Sequence, residues 1–255
     1  LLAAKQAVRN VTATPSPLQR MRTYEQREVY TSAIGEFEGA LRLANLPHQR
    51  FKVGVAMVSL EPSTDRLEST NVLESLASTV GPFDEYFLEE LIPELLGSGF
   101  THVGVSLSFQ QQAPAAFRLA ALLEEHAPQL VRFLGGPLVA CWRAVGFDLQ
   151  RQPFALFHEI WNGREDGMDR LVHSHFESGR DVSNLESMAP LSVALDEAPW
   201  SDYYTPKPII PAVLGRGCPW RRCTFCPDHL HPRHQPCSLG GLKRWLRGIA
   251  ERFPK

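Results

Sequence analysis

Residues 101–137 read "THVGVSLSFQQQAPAAFRLAALLEEHAPQLVRFLGGP": a short valine-rich run, an amphipathic run of helical period, and a second apolar run closed by two glycines. Short apolar runs bounded by turn residues read as buried strands, and a helical run between two of them is the crossover that parallel strands require. The unit predicts an α/β fold with a parallel sheet. Upstream, "FKVGVAMVSL" (51–60) reads as another buried strand, and "PFDEYFLEELIPELLGSGF" (82–100) as a helix that Pro93 kinks and a glycine caps. Downstream, "PFALFHEIWNGRED" (153–166) reads as a further strand ending at Asn162 and Gly163, with "GMDRLVHSHFESG" (167–179) as the next helix.

In an open parallel sheet, ligands sit beyond the carboxyl ends of the strands. Those ends bring forward Ser59, Ser106, Ser108, Gly135 and Gly136 as candidate binding residues. The paired glycines would let a ligand approach the backbone closely, or Gly-Gly-Pro simply turns the chain. Residues 1–50 read as a helical arm, 51–180 as the α/β domain, 181–207 as a Ser-, Pro- and acid-rich linker, and 208–255 as a second, short domain. That last part holds an apolar strand, "KPIIPAVLGRGC", and a final amphipathic helix with Leu242, Trp245, Leu246 and Ile249 on one face.

The formal charge of −2, from 26 basic and 28 acidic residues, offers no global attraction to nucleic acid or to an anionic membrane, and neither partner is expected. No apolar run reaches the roughly 18–20 residues of a spanning helix, and the start lacks the pattern of a secretory signal, so a cytoplasmic location is expected.

Three of the five cysteines, Cys218, Cys223 and Cys226, fall within nine positions in "GRGCPWRRCTFCPDH". Dense cysteine in a chain without a disulfide framework points to a metal or a cluster. Three soft thiolates suit a cubane iron–sulfur cluster with one iron left open, or tetrahedral zinc with a fourth protein ligand. For zinc, Cys237, His229, His231 and His234 are all available. Arg216, Arg221 and Arg222 would favour the thiolate form and offset cluster charge.

"GRGCPWRRCTFC", preceded by "PWSDYYTPKPIIPAVL", resembles the cluster loop of radical S-adenosylmethionine (radical SAM) proteins that carry an N-terminal cobalamin-binding domain. Residues 101–137 resemble the core of that domain, and "NGREDGMDRLV" its closing segment, which adds Gly163 to the candidate binding residues. The resemblance runs from about residue 50 to 255. It implies a Rossmann-like, cobalamin-type sheet, a linker, and the first βα unit of a radical SAM partial barrel. It also implies that Cys218, Cys223 and Cys226 ligate three irons of a 4Fe-4S cluster whose fourth iron binds S-adenosylmethionine, with Phe225 near the adenine. Reductive cleavage would then give a 5′-deoxyadenosyl radical that takes hydrogen from a small-molecule or peptide substrate, methylation being one outcome. An electron donor such as a flavodoxin or ferredoxin is the implied partner.

The first cysteine gap holds four residues where three is commonest in that family, and no Asp-x-His-x-x-Gly motif is present, so cobalamin would lack a histidine ligand. A complete α/β barrel takes about 250 residues, whereas 29 follow Cys226; the expectation is a fragment or truncated member that does not turn over alone. Two other readings are a non-catalytic α/β module with structural zinc held by the same cysteines and Cys237 or His229, and a corrinoid carrier with a vestigial loop.

Overall fold

A computed structural model describes residues 16–47, 51–54, 58–60, 70–161, 200–210, 214–224, 226 and 234–253. The chain divides into two compact units, Leu1–Gly163 and Arg164–Lys255.

The first unit opens with helix α1, Arg27–Ala44, whose Glu28 and Arg42 lie at the ends where the helix dipole favours their charges. Asn45 follows and acts as a short strand neighbour: its amide donates to the Val53 carbonyl (2.7 Å) and accepts from the Val53 N–H (2.8 Å). Strands β1 (Phe51–Val53) and β2 (Val58–Leu60) pair antiparallel, with Phe51 opposite Leu60. This corrects the expectation of one continuous strand over 51–60. Gly54 interrupts the apolar run, and Asn45 takes both ladder groups of Val53, so the segment forms its own two-stranded sheet.

Helix α2 spans Thr70–Ala77. A second helical stretch, α3, runs through Asp84–Tyr86, a widened π turn at Phe87–Leu91, and Ile92–Gly97. Pro93 supplies the reason for the π turn. It has no N–H for the carbonyl four residues back and its ring crowds that carbonyl, so the helix loosens just before it, with Ile92 N–H bonding to Phe87 O.

Strand β3 (His102–Ser106), helix α4 (Ala113–His126), strand β4 (Val131–Gly135), helix α5 (Pro137–Ala144) and strand β5 (Glu159–Ile160) complete the unit. The sheet order is β3-β4-β5 and both pairings are parallel, with Ser106 opposite Gly135. The parallel α/β class is therefore as expected. The strand expected from residue 153 to Asn162 and Gly163 starts later than expected, because Phe154–Leu156 coil into a 3₁₀ turn; among the described residues the strand is Glu159–Ile160, and 162 onward lies outside them. The expected helix over 167–179 and the linker up to residue 199 lie outside the described residues.

The alternation along β4 sends Leu134 into a core with Leu73 and Leu76 of α2, Phe117 of α4, and Val139 and Trp142 of α5. Phe117 is fully buried and meets Phe154 edge-on at 5.3 Å, with Trp142 6.0 Å away. Burying a ring of that size contributes about 2–3 kcal/mol. A second cluster joins Phe87 and Ile92 of α3 to Leu122, Leu123 and Leu130.

Arg132 is the one cation in β4, and only 4% of it is exposed. It pairs with Glu124 of α4 and donates to Leu156 O (2.8 Å) and Leu130 O (3.3 Å). Its own N–H donates to His158 Nδ1 (3.0 Å), and His158 N–H returns a bond to Arg132 O (2.9 Å). This network fastens the turn before β5 to β4 and positions the third strand.

In the second unit, a 3₁₀ turn at Trp200–Asp202 precedes β6 (Gly215–Arg216); β7 (Gln235–Pro236) and helix α6 (Leu239–Arg252) follow. Ser238 caps α6 by accepting from Gly241 N–H at 3.1 Å, and Trp200 meets Phe253 edge-on at 5.7 Å. Of the strand expected from residue 207 onward, 211–213 lie outside the described residues, 207–210 form no ladder, and Gly215–Arg216 form β6. Pro208 and Pro211 have no N–H for a ladder, and β6 pairs antiparallel with β7.

Candidate functional site

The cysteine loop lies between β6 and β7. Gly215 pairs with Pro236 and Arg216 with Gln235, and Cys237 N–H donates to Leu214 O at 2.9 Å, so the two ends of the cysteine-bearing stretch are tied at its base. Two residues in it take left-handed backbone angles, Gly217 (φ 68°) and Arg221 (φ 50°). For arginine that conformation costs roughly 1–2 kcal/mol, and such outliers gather where a loop shape is imposed. Cys226 N–H reaches Cys223 O at 3.4 Å, drawing those two cysteines into one turn.

Cys218, Cys223, Cys226 and Cys237 are all half-buried, and no disulfide joins any of the five cysteines, all of which are described. The donor chemistry suits a thiophilic metal or cluster. Among the described residues, however, no group of three or more His, Cys, Asp or Glu side chains is arranged to hold a metal ion. Phe225, His229 and His231 lie outside the described residues.

Cys237 stands at the base of the ladder, its N–H bonded to Leu214 O, and His234 directly precedes Gln235, the first paired residue of β7.

Ser59 pairs with Lys52 in the β1–β2 sheet, and β2 lies near the Gln110–Gln112 turn that follows the carboxyl end of β3. Ser106 and Ser108 are exposed, and Ser108 N–H donates to Gln112 Oε1 at 2.8 Å. Gly135 is buried, and a Cβ there would sit 3.6 Å from the Trp161 ring. Gly136 (φ 105°) is pressed against Leu107: its missing Cβ would lie 2.3 Å from Leu107 O. Leu107 in turn donates to Gly135 O (2.8 Å) and accepts from Leu138 N–H (3.0 Å). The close approach that Gly136 permits is thus to the chain itself. Gly163 lies outside the described residues.

A half-open hollow of about 10 Å³, room for little more than one water molecule, is lined by Gly81, Phe83, Phe87 and Pro114 and by the Asp84–Arg118 ion pair. The pair is also consumed internally: Arg118 bonds Asp84 at 2.6 Å and Ala77 O at 3.1 Å, and Asp84 accepts from Gly81 N–H at 2.9 Å.

No known family, curated protein or solved structure matches this chain.

Reading the sequence for ligands passed over three features of the site. One is the β7 ladder, because a two-residue strand containing Pro236 carries no alternation to detect. The second is the Leu107–Gly136 contact, whose signal was the glycine itself. The third is the Trp220–Arg222 pair: the guanidinium lies 5.3 Å over the indole, and Trp220 is 63% exposed. An aromatic beside two arginines in a short loop is the pattern that would have revealed it. No described helix is long and apolar enough to cross a membrane.

Proposed function

We propose that this chain is the N-terminal part of a cobalamin-dependent radical SAM enzyme. In this reading Cys218, Cys223 and Cys226 hold a 4Fe-4S cluster that binds S-adenosylmethionine, and the substrate is modified by radical chemistry. The observation that carries the reading is the tied loop with three half-buried, unbridged thiols and no acidic residue between Leu214 and Cys226. When bound, the cluster supplies the electron that cleaves S-adenosylmethionine. The protein's part is to hold three irons through thiolates, leave one for the ligand, and limit water access by the half-burial of those cysteines. The first unit contributes a parallel sheet whose carboxyl edge exposes Ser106 and Ser108, the face on which the cobalamin of this reading would rest.

The test is iron and sulfide analysis of protein reconstituted without oxygen. About four irons and four sulfides per chain, lost in Cys218→Ala, Cys223→Ala and Cys226→Ala but kept in Cys237→Ala, support the reading. Iron that survives all three substitutions overturns it.

The alternative is a structural zinc site held by the same cysteines with Cys237 or His229. One zinc per chain with no iron, released by Cys237→Ala or His229→Ala, is the result that would replace the cluster with a structural knuckle.

A further inference from the structure

Two helices expose leucines among like charges, and the two sets of charges are opposite in sign. On α3, Leu88 and Leu96 are exposed beside Glu85, Glu89, Glu90 and Glu94, which are exposed as well. Among the described residues none of these four carboxylates is in an ion pair, and from residue 67 to 117 the sequence holds no Lys or Arg. On α6, Leu239 and Leu246 lie two turns apart on one side of the helix, with Lys243 between them and Arg247 alongside, all exposed. Arg244 is exposed too, and Glu251 is the one acid of that helix. Like charges close together on a helix repel. Each face therefore carries an electrostatic cost that a surface of the other sign would remove, and an apolar spot that such a surface could cover.

The same opposition runs through the whole chain. From Trp200 to Lys255 there are ten Lys and Arg against three Asp and Glu, a formal +7 set against −2 for the whole chain, which leaves −9 on the preceding residues. A nucleic acid or an anionic lipid surface would meet α6 alone and be repelled by the acidic majority of the chain. A basic protein would meet α3 alone. A second copy of the chain answers both faces, because every copy brings one of each sign in equal number. Its net charge near zero also sets up little overall repulsion between copies.

We propose that α3 of one copy docks on α6 of another, with the leucines in contact and the α3 carboxylates set against Lys243, Arg244 and Arg247. Each helix runs 14 residues, about 21 Å, so the two faces match in length. The faces differ, so the contact is head-to-tail: each copy keeps one face for a further copy, and association closes into a ring or continues as a chain. One helix laid on another buries a small area, which places the contact among weak, charge-steered interfaces. The contact asks nothing of the cysteine loop and stands whether or not that loop holds a metal.

The experiment is sedimentation velocity of the full chain at ~0.02 M and ~0.3 M salt, with a reductant present so that no intermolecular disulfide contributes. Wild type should associate as its concentration rises at low salt, and the higher salt should weaken association about tenfold or more. Glu89→Lys/Glu94→Lys removes the acidic excess of α3, and Lys243→Glu/Arg247→Glu removes the basic excess of α6; each should abolish association on its own. An equal mixture of the two should restore it, because the intact α6 of the first meets the intact α3 of the second. Leu246→Ser should weaken association at both salt levels. Where circular dichroism shows that a charge-reversed variant does not fold, the corresponding Gln variant replaces it, with weaker association than wild type expected. A wild type that stays monomeric at ~0.1 mM and low salt, variants that associate like wild type, or a mixture that stays monomeric would each overturn the proposal. A monomeric wild type that binds a short oligonucleotide through Lys243 and Arg247 overturns it in favour of a nucleic-acid partner.

Discussion

Gly136→Ala should be among the most damaging single-methyl changes in the first unit. Gly136 sits at φ 105°, ψ 167°, a region that only glycine occupies without strain; forcing alanine into it costs about 1–3 kcal/mol. The new Cβ would also lie 2.3 Å from Leu107 O and 2.6 Å from Leu107 N, inside contact distance of backbone rather than of a side chain that could swing away. Relief requires Leu107 to retreat, and Leu107 is held by bonds to Gly135 O and from Leu138 N–H. Losing both adds about 1–3 kcal/mol. The sum, about 2–6 kcal/mol, corresponds to a fall in Tm of roughly 4–24 °C for a domain of this size. Two neighbouring glycines are the controls. Gly135→Ala meets Trp161 at an ordinary 3.6 Å, and a Cβ on Gly104 meets nothing within 4 Å, so both should fall within about 1 kcal/mol of wild type. Urea melts of the full chain followed by tryptophan fluorescence, which Trp142 and Trp161 report from the first unit, give the three values. Gly136→Ala within about 1 kcal/mol of the controls would refute the claim that the β4–α5 turn is closed by the chain's own backbone, and would reopen that space for a ligand.

Arg132→Met should cost about 2–4 kcal/mol, because it strips the half-buried Leu156 and buried Leu130 carbonyls of their donor. Glu124→Gln should cost under about 1 kcal/mol, since that carboxylate is 55% exposed and water takes over its solvation; urea titration separates the two. Stability should also fall on acidification. His158 is held below its ordinary value near 6.5, first by burial and then by the Arg132 charge. The folded state therefore resists a proton that the unfolded chain accepts, so this contribution is complete above about pH 6.5 and is lost as pH falls through the lowered value. A denaturation midpoint measured from pH 8 downward in wild type and His158→Gln checks the sign, the variant being the flatter of the two.

What could be read from the sequence was what local periodicity encodes. The β3–α4–β4 unit was legible because its apolar runs are short, its helix is amphipathic, and Pro114 sits where a helix tolerates it, at the first turn. The π turn was half legible: Pro93 announced a disturbance, but not that the helix would widen upstream instead of bending. The β1–β2 hairpin was illegible because the decisive contact, Asn45 to Val53, joins residues eight apart through a side-chain amide that no hydrophobic pattern records. The same limit explains Gly135 and Gly136. Sequence offered two uses for a glycine pair, and only the position of Leu107, nearly thirty residues earlier, decides between them.

The cysteine loop carries the same lesson into function. Spacing brings Cys218, Cys223 and Cys226 together as a candidate set, but says nothing of how the ends of the loop are held. The β6–β7 ladder does: Gly215 pairs with Pro236, Arg216 with Gln235, and Cys237 N–H bonds Leu214 O immediately before the Ser238 cap of α6. The backbone of Cys237 therefore closes the base of the loop and launches the helix. Alanine keeps that N–H, so metal loss in Cys237→Ala would report the thiol alone, as a ligand.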